Sequence, residues 1–265
     1  MREIFTGFFY FDESIHPRGK FSLGAFVYCE SSLDSEIADA LRQSGLAPGK
    51  DEFKSGSRMD QAPEQADARQ RLMKIVRENC GIGVIIAPVS PRTALGGEAF
   101  FGLNKILSTT QFRSSAHQVL FDQGIFRSCA AGQRASADFC FAQPCTFSYE
   151  QDSVQVMGLQ LADLVAHTCS IMLLASLGLV HKKLREGENS GYDPNLQIEL
   201  EFEMWASLRQ NFFADPPPPY ETWQSQLDWQ VDVSARGLHV AASCDSAVRE
   251  AATGRFGRMY LGCIH

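Results

Sequence analysis

The chain has 265 residues and 45% apolar content, which is enough for a substantial core in one large domain or in a domain with an appendage. Its net charge is −7, but residues 1–185 contain 19 acidic and 19 basic side chains, so the acidic excess lies in residues 186–265. This composition excludes a disordered polar chain, and the overall acidity argues against a strongly basic nucleic-acid-binding surface. Residues 42–77 carry a modest basic excess, with eight basic and five acidic side chains.

The sequence carries no pattern typical of export or membrane insertion. The N-terminus lacks a basic segment followed by an apolar segment and small residues, so we expect no signal peptide. The most apolar stretch, residues 154–180, includes Gln160, Asp163 and His167, which a membrane-spanning helix seldom carries together. We therefore expect a cytoplasmic protein with no membrane partner.

The eight cysteines form neither a C-x-x-C pair nor a cysteine and histidine pattern with zinc-ligand spacing. Several lie in apolar runs, such as Cys29 and Cys140, where a reduced thiol packs as a small hydrophobic group. We expect reduced thiols and no disulfide framework.

The first predicted elements form a hairpin. Residues 4–12 are aromatic and apolar without polar alternation, which predicts a strand buried on both faces. Phe21–Cys29 is predicted to be its antiparallel partner, because the connecting residues 14–19 contain the proline and glycine of a turn.

The later elements alternate between helices and strands. Helices are predicted where apolar residues recur at helical spacing, and strands where short apolar runs end at proline, glycine or aspartate. The predicted helices are Asp34–Gln43, Pro63–Asn79 and residues 98–112, 152–178 and 196–212, the fourth capped by Asp152 or Ser153; the predicted strands are residues 83–89, 117–121 and 137–142.

This alternation, preceded by a hairpin, predicts an α/β fold with a mixed sheet flanked by helices. Composition changes near residue 185, and four consecutive prolines at 216–219 form a stiff spacer. We therefore predict a domain over residues 1–185 and an acidic C-terminal extension over residues 186–265.

Three acidic residues occupy positions that suggest chemistry. Asp12 ends the first predicted strand, Asp122 ends the strand over 117–121, and Asp163 lies on the apolar helix over 152–178. At 100° per residue, Gln160, Asp163 and His167 form one narrow polar stripe on that helix. A charge on such a helix is costly to bury unless it is paired or bound to a metal.

Each acidic residue also has a structural interpretation when taken alone. Asp12 and Asp122 would be turn residues, and Asp163 would pair with a basic side chain or cap a backbone group. Three carboxylates from two strand ends and one helix are nevertheless typical of a site for magnesium or manganese, since these ions prefer hard oxygen ligands. Two such ions activate a water and stabilise the leaving oxygen in phosphodiester hydrolysis.

Several short motifs together resemble a known family. Asp12-Glu13-Ser14 follows the first strand, Glu52-Phe53-Lys54 follows the first helix, and Leu159-Gln160-Leu161-Ala162-Asp163 lies on the late helix, with Asp122 and Ser153 between them. This set resembles the bacterial and phage family known as domain of unknown function 3800 (DUF3800), over roughly residues 5–175.

The resemblance implies a ribonuclease H-like fold, in which acidic side chains typically hold two divalent metals that cleave nucleic acid. It implies Asp12, Glu52, Asp122 and Asp163 as catalytic metal ligands for Mg²⁺ or Mn²⁺. Lys54 would then hold a phosphate or orient Glu52. Glu13 points away from Asp12 on an extended strand, so we expect it in a turn or supporting contact, and Gln160 and His167 are further supporting candidates.

Two functional hypotheses follow. The first is a metal-dependent nuclease or phosphodiesterase acting on a nucleic acid or a nucleotide. The second is a catalytically idle module of a phage-defence or mobile-element system that binds nucleic acid or protein. The acidic set favours the first, and the overall acidity favours the second or a small nucleotide substrate. The acidic C-terminal extension has two candidate roles, to cover the groove or to mediate self-association into a homo-oligomer.

Overall fold

The computed structural model describes residues 6–91, 94–108, 112–185, 195, 197–215 and 229–262. The ten strands among these residues are β1 (Thr6–His16), β2 (Phe21–Cys29), β3 (Gly81–Pro88), β4 (Ala116–Asp122), β5 (Cys145–Gln151), β6 (Lys183–Arg185), β7 (Gln197–Glu199), β8 (Gln230–Asp232), β9 (Leu238–Val240) and β10 (Arg258–Tyr260). The seven described α-helices are α1 (Asp34–Gln43), α2 (Pro63–Asn79), α3 (Ala94–Leu107), α4 (Cys129–Ala137), α5 (Gly158–Ser176), α6 (Leu200–Leu208) and α7 (Ser246–Phe256).

A six-stranded mixed sheet forms the centre of the fold, with the strand order β5-β4-β1-β2-β3-β9. β2 is antiparallel to both of its neighbours, whereas the pairs β1–β4, β4–β5 and β3–β9 are parallel. The predicted α/β class, a mixed sheet flanked by helices, is therefore confirmed. The strands β6 and β7 form one small separate sheet, and β8 and β10 form another.

Side chains of β1 alternate between two helical layers. Phe11 packs on Phe26 and Phe121, and Phe121 in turn contacts Phe100 of α3, so these rings lie on the α3 face of the sheet. Tyr10 points to the other face, where its ring touches Gly158 at the start of α5. The sheet is covered on both faces, which explains why β1 and β2 read as continuous apolar runs.

Helix α5 is long and apolar enough, by length and composition, to cross a membrane, yet 78% of its apolar window is buried inside the protein. Such burial is typical of the core helix of a soluble protein. The expectation of no membrane partner remains a prediction.

The first strand is longer than predicted, so the prediction that Asp12 ends it is wrong. β1 and β2 remain paired as far as His16↔Phe21, whereas pairing between β1 and β4 stops at Phe11↔Phe121. Asp12 is thus the first residue of β1 beyond its parallel neighbour. The tight turn comes later than expected, at Pro17–Gly19.

The predicted strand over residues 137–142 is also wrong. Residue 137 ends α4, and Phe139 and Phe141 instead pack as rings against Phe100. The strand in this part of the chain is β5, eight residues later than predicted, which pairs with β4.

Three helix boundaries differ from prediction. α3 begins at Ala94 instead of residue 98 and ends at Leu107. α5 begins at Gly158 instead of residue 152, because residues 152–157 form turns closed by hydrogen bonds to the Asp152 carbonyl. The predicted helix over 196–212 is divided into β7 and the short α6.

Part of the predicted C-terminal extension belongs to the central sheet. β9 pairs with β3 through Val84↔Leu238 and two further residue pairs. Phe212 bridges to Ile82 of β3, and Arg255 of α7 pairs with Glu201 of α6 at 2.6 Å. The boundary at residue 185 stays a prediction, and the proline run at 216–219 lies outside the described residues.

The contact between Tyr10 and Gly158 leaves no space for a larger side chain at position 158. A Cβ at position 158 would overlap the Tyr10 ring, so Gly158→Ala must push α5 away from β1. We expect the free energy of unfolding to fall by about 1–3 kcal/mol, measured by urea denaturation.

Gly254→Ala in α7 is the matched control, because nothing lies within 4 Å of a Cβ there. Replacing a helical glycine in open space should raise stability by up to about 1 kcal/mol. Equal effects of the two substitutions would contradict the packing argument.

Candidate active site

Two of the predicted acidic residues come from neighbouring parallel strands. Because Phe11 pairs with Phe121, the next residues, Asp12 and Asp122, lie side by side at the ends of the shared ladder. Side chains alternate along a strand, so both carboxylates share the face of Tyr10, which is the face covered by α5. Each is partly buried.

Helix α5 brings a third carboxylate and a buried amide to this face. The side chain of Gln160 is fully buried, and its Oε1 accepts a hydrogen bond of 2.9 Å from the backbone N–H of Phe53. Its Nε2 donates to the backbone carbonyl of Ser153 at 2.9 Å. Gln160 therefore joins the loop of residues 52–55 to the segment before α5.

Asp163, three residues further along α5, holds the same loop at its other end. Its Oδ2 accepts from the backbone N–H of Ser55 at 2.9 Å, and its Oδ1 accepts from the Ser55 hydroxyl at 2.5 Å. The backbone-capping alternative for Asp163 thus describes part of what this residue does. Each carboxylate oxygen keeps a further lone pair for another partner.

The 52–55 loop is also tied to α2 through Gln65. The Gln65 amide accepts from the N–H of Lys54 at 2.8 Å and donates to the carbonyl of Glu52 at 2.9 Å. Phe53 between them is fully buried. The loop is therefore held at consecutive residues from two helices.

Glu52 faces the site and has two partners of its own. Its Oε1 lies 2.7 Å from Nζ of Lys54 and accepts a short hydrogen bond from the hydroxyl of Ser153. Of the two roles proposed for Lys54, the ion pair supports orientation of Glu52. Lys54 keeps much of its surface exposed, so it also remains accessible to a ligand.

The four carboxylates influence one another electrostatically. Burial, followed by the charges of Asp122 and Asp163, raises the pKa of Asp12 well above its usual value. Burial raises the pKa of Asp122 to about 6, with Glu52 and Asp163 adding to the effect and Lys54 opposing it. Burial likewise raises the pKa of Asp163, although the hydrogen bonds from Ser55 and the charge of Lys54 act in the other direction.

Two cations stand beside the carboxylates. The pKa of Lys54 is raised: burial lowers it, but the hydrogen bond and charge of Glu52 outweigh that effect. Arg69 of α2 interacts with the charge of Asp163, and its Nη2 donates to the hydroxyl of Thr168 on α5 at 3.3 Å. Four acidic and two basic groups leave an excess of negative charge at this face.

The remaining supporting candidates adjoin this set. The backbone N–H of Glu13 donates to Oδ1 of Asp12 at 2.7 Å, and the charge of Glu13 adds to the raised pKa of Asp12. Glu13 points to the α3 face, as the strand alternation predicts, and borders a small cavity with Leu95 and Ile125. Burial and the charges of Arg69 and His16 lower the pKa of His167 to about 4, so its imidazole is neutral at pH 7. His167 is therefore a weak base in this environment.

The four carboxylates are chemically suited to bind a divalent cation, but they do not form a complete coordination group. Carboxylate oxygens are the preferred ligands of magnesium and manganese. The pKa values of Asp12, Asp122 and Asp163 are raised mainly by burial, with neighbouring carboxylates adding to the effect, so their ionised forms are disfavoured here. Within the described part of the chain, however, no three Asp, Glu, His or Cys side chains form a ready-made metal-coordinating group. Asp163 and Glu52 have protein partners instead.

Sequence reasoning did not identify Ser55, Gln65 or Arg69 as parts of the site. Ser55 lies in a Ser-Gly-Ser run that reads as a flexible connection, yet it is buried and bonded to Asp163. No local pattern distinguishes such a serine, because its partner is 108 residues away.

Comparison of the chain with protein-family models and with curated proteins gives no match.

Removing the buried amide should release the 52–55 loop. Gln160→Ala leaves the N–H of Phe53 and the carbonyl of Ser153 without partners in a buried setting, so we expect a loss of about 2–4 kcal/mol in unfolding free energy. Amide hydrogen exchange at Phe53 should accelerate in parallel. Gln155→Ala is the control, since Gln155 is exposed and bonds Gly49 at 3.4 Å; a similar loss in both variants would contradict this role of Gln160.

The carboxylate cluster should cost stability at neutral pH. A folded-state pKa of about 6 for Asp122 lies above the unfolded value, so the folded state is penalised above pH 6 and the penalty disappears as pH falls towards 4. We expect Asp122→Asn to raise the unfolding free energy by about 1–2 kcal/mol at pH 8, less than the full shift because solvent screens the carboxylate.

The gain from Asp122→Asn should vanish near pH 4, as measured by urea denaturation across this pH range. Asp60→Asn is the control, because Asp60 is an exposed residue paired with Arg58 at 3.1 Å. Its effect should stay within about 0.5 kcal/mol at every pH. A loss of stability in Asp122→Asn at pH 8 would contradict the electrostatic interpretation.

Proposed function

We propose that this protein is a divalent-metal-dependent nuclease or phosphodiesterase of the DUF3800 type, with a ribonuclease H-like fold. The observation that carries the proposal is that Asp12, Asp122 and Asp163 share one face of the sheet, where the charges of Asp122 and Asp163 raise the pKa of Asp12 and the charge of Asp163 raises that of Asp122. Perturbed carboxylates in such a cluster are typical of functional sites.

The order of the strands supports the fold part of the proposal. A β1-β2-β3 meander with an antiparallel middle strand, followed by β4 and β5 added in parallel on the other side of β1, is the arrangement expected of a ribonuclease H-like sheet. In that arrangement acidic residues from β1, β4 and a late helix meet, which matches the origins of Asp12, Asp122 and Asp163.

The charges explain why a cation is part of the proposal. Asp12, Glu52, Asp122 and Asp163 would repel an anionic phosphodiester, and Lys54 and Arg69 neutralise only part of this charge. Magnesium or manganese held by the four carboxylates would offset the repulsion, activate a water and stabilise the leaving oxygen.

The chain's own residues would position this chemistry. Lys54 and Ser153 orient Glu52, and Ser55 orients Asp163, so both carboxylates are held in fixed directions. Lys54, paired with Glu52, and Arg69, which interacts with the charge of Asp163, are the cations that would contact phosphate oxygens. Gln160 and Gln65 keep the 52–55 loop in place.

One observation favours the alternative of a catalytically idle binding module. Among the described residues there is no ready-made metal-coordinating group, and Asp163 uses both oxygens on Ser55. A site of this kind would bind its nucleic acid or protein partner through Lys54, Arg69 and surrounding surface without hydrolysis.

Manganese titration separates these functions. We expect calorimetry to show Mn²⁺ binding to the wild-type chain, weakened at least about 10-fold in Asp122→Asn. Asp122 is the cleaner choice than Asp163, because Asp163 also anchors Ser55. Labelled single-stranded and double-stranded RNA and DNA should be cleaved by the wild type with Mn²⁺, and cleavage should fall to background in the variant.

Asp60→Asn serves again as the control and should bind and cleave as the wild type does. Metal binding without cleavage of any substrate would favour the idle module. If the wild type neither binds Mn²⁺ nor cleaves any of the substrates, the nuclease proposal is wrong.

A further inference from the structure

Two buried cysteines face each other at the end of the antiparallel pairing between β2 and β3. Cys29 is the last residue of β2, and Cys80 lies between α2 and β3. The last residue pair of the two strands is Tyr28↔Gly81, so Cys29 and Cys80 are opposite each other one step further on. Their Sγ atoms are 3.5 Å apart.

This position meets the geometric needs of a disulfide. Residues directly opposite in an antiparallel pair have Cα atoms about 4.5–5.5 Å apart, which lies within the range that disulfides span. Bond formation therefore requires the sulfur atoms to approach each other by rotation of side chains, with little movement of the backbone. Among the seven cysteines in the described part of the chain, no other pair has its sulfur atoms in contact.

Only one member of the pair is reachable from outside. Cys80 lines a cavity of about 330 Å³ together with Asn211 and Phe213, whereas Cys29 is almost fully buried behind it. Contact with Cys80 and burial raise the pKa of Cys29, so Cys29 is a neutral thiol at physiological pH. Cys80 is therefore the sulfur that a small oxidant meets first.

We propose that Cys29 and Cys80 form a site of reversible oxidation, in which hydrogen peroxide converts the thiol pair into a cross-strand disulfide. The Cys80 sulfur attacks the peroxide, the O–O bond breaks, and Cys80 sulfenic acid and water are formed. The Cys29 sulfur then displaces the hydroxyl group from Cys80, giving the S–S bond and a second water. Two thiols lose two electrons and two protons, and one peroxide is reduced to two waters.

The disulfide would tie the end of β2 to the end of α2. The C-terminal end of α2 is already held by the Asn211 side chain, which donates to the carbonyls of Val76 and Cys80 at 3.0 and 2.8 Å. A covalent link closing a loop of about 50 residues restricts the unfolded chain and raises the melting temperature. This inference is independent of the proposed activity.

Peptide mapping of the full-length protein tests the proposal. The folded chain is treated with hydrogen peroxide, remaining thiols are blocked with N-ethylmaleimide, and the protein is digested with trypsin without reduction. We expect peptides 21–42 and 78–92 to appear as one cross-linked species, 2 Da lighter than their sum, and to separate on treatment with dithiothreitol. The exposed Cys129 reports that the oxidant has acted.

Thermal unfolding gives a second readout. Peroxide should raise the melting temperature of the wild type by about 5–10 °C, reversibly with dithiothreitol. Cys80→Ser and Cys29→Ala should show no such increase, and Cys244→Ala, which removes a buried cysteine elsewhere, should retain it.

The proposal is overturned if Cys129 is oxidised while Cys29 and Cys80 are both recovered as maleimide adducts. Recovery of Cys80 as a sulfinic acid, or linked to a cysteine other than Cys29, would overturn it equally. These results need no folded variant, because they come from the wild-type chain.

Discussion

The paired hydrogen bonds of the buried Gln160 side chain are the constraint on which the site depends. One uncharged amide binds Phe53 and Ser153, residues separated by 100 positions in the chain, and fixes both relative to α5. Burying an amide is inexpensive when its donor and acceptor groups are both satisfied, and costly when they are not. A neutral side chain therefore positions two of the carboxylates relative to each other. Gln160 holds the loop that carries Glu52, and Asp163 lies one turn further along the same helix.

The ionised carboxylates lower the stability of the folded state. Partial burial and mutual repulsion raise the pKa values of Asp12, Asp122 and Asp163, which means that their ionised forms are less stable here than in water. Buried ion-pair networks perturb pKa values too, but in such networks opposite charges balance, whereas here acidic groups outnumber Lys54 and Arg69. This excess of acidic over basic groups favours a functional interpretation of the site over a purely structural one.

Patterns within one element were predictable from the sequence, and relations between elements were less so. The bounds of β2, α1 and α2 followed from apolar periodicity, proline and glycine. The strand predicted over 137–142 failed because alternating Phe139 and Phe141 satisfy the same pattern when they pack on Phe100 in irregular chain. The sequence of β5 gave little signal, because β5 is an edge strand of the six-stranded sheet and most of its residues are only partly buried. Asp12, Asp122 and Asp163 were identifiable because a carboxylate interrupts an apolar run. Ser55 and Gln65 act through partners that are distant in the sequence, so the residues next to them show no recognisable pattern.

The apolar character of α5 also explains the placement of the C-terminal segment. Apart from its narrow polar stripe, α5 is apolar and most of its residues are buried, so its faces need cover. The sheet covers the side that carries Gly158. The later chain helps to cover the remainder: Arg255 of α7 reaches Ser176 at the end of α5, and Glu203 of α6 interacts with Arg69 beside it. Because β9 also extends the sheet beyond β3, residues after 185 contribute both to the central sheet and to the helices that pack beside α5.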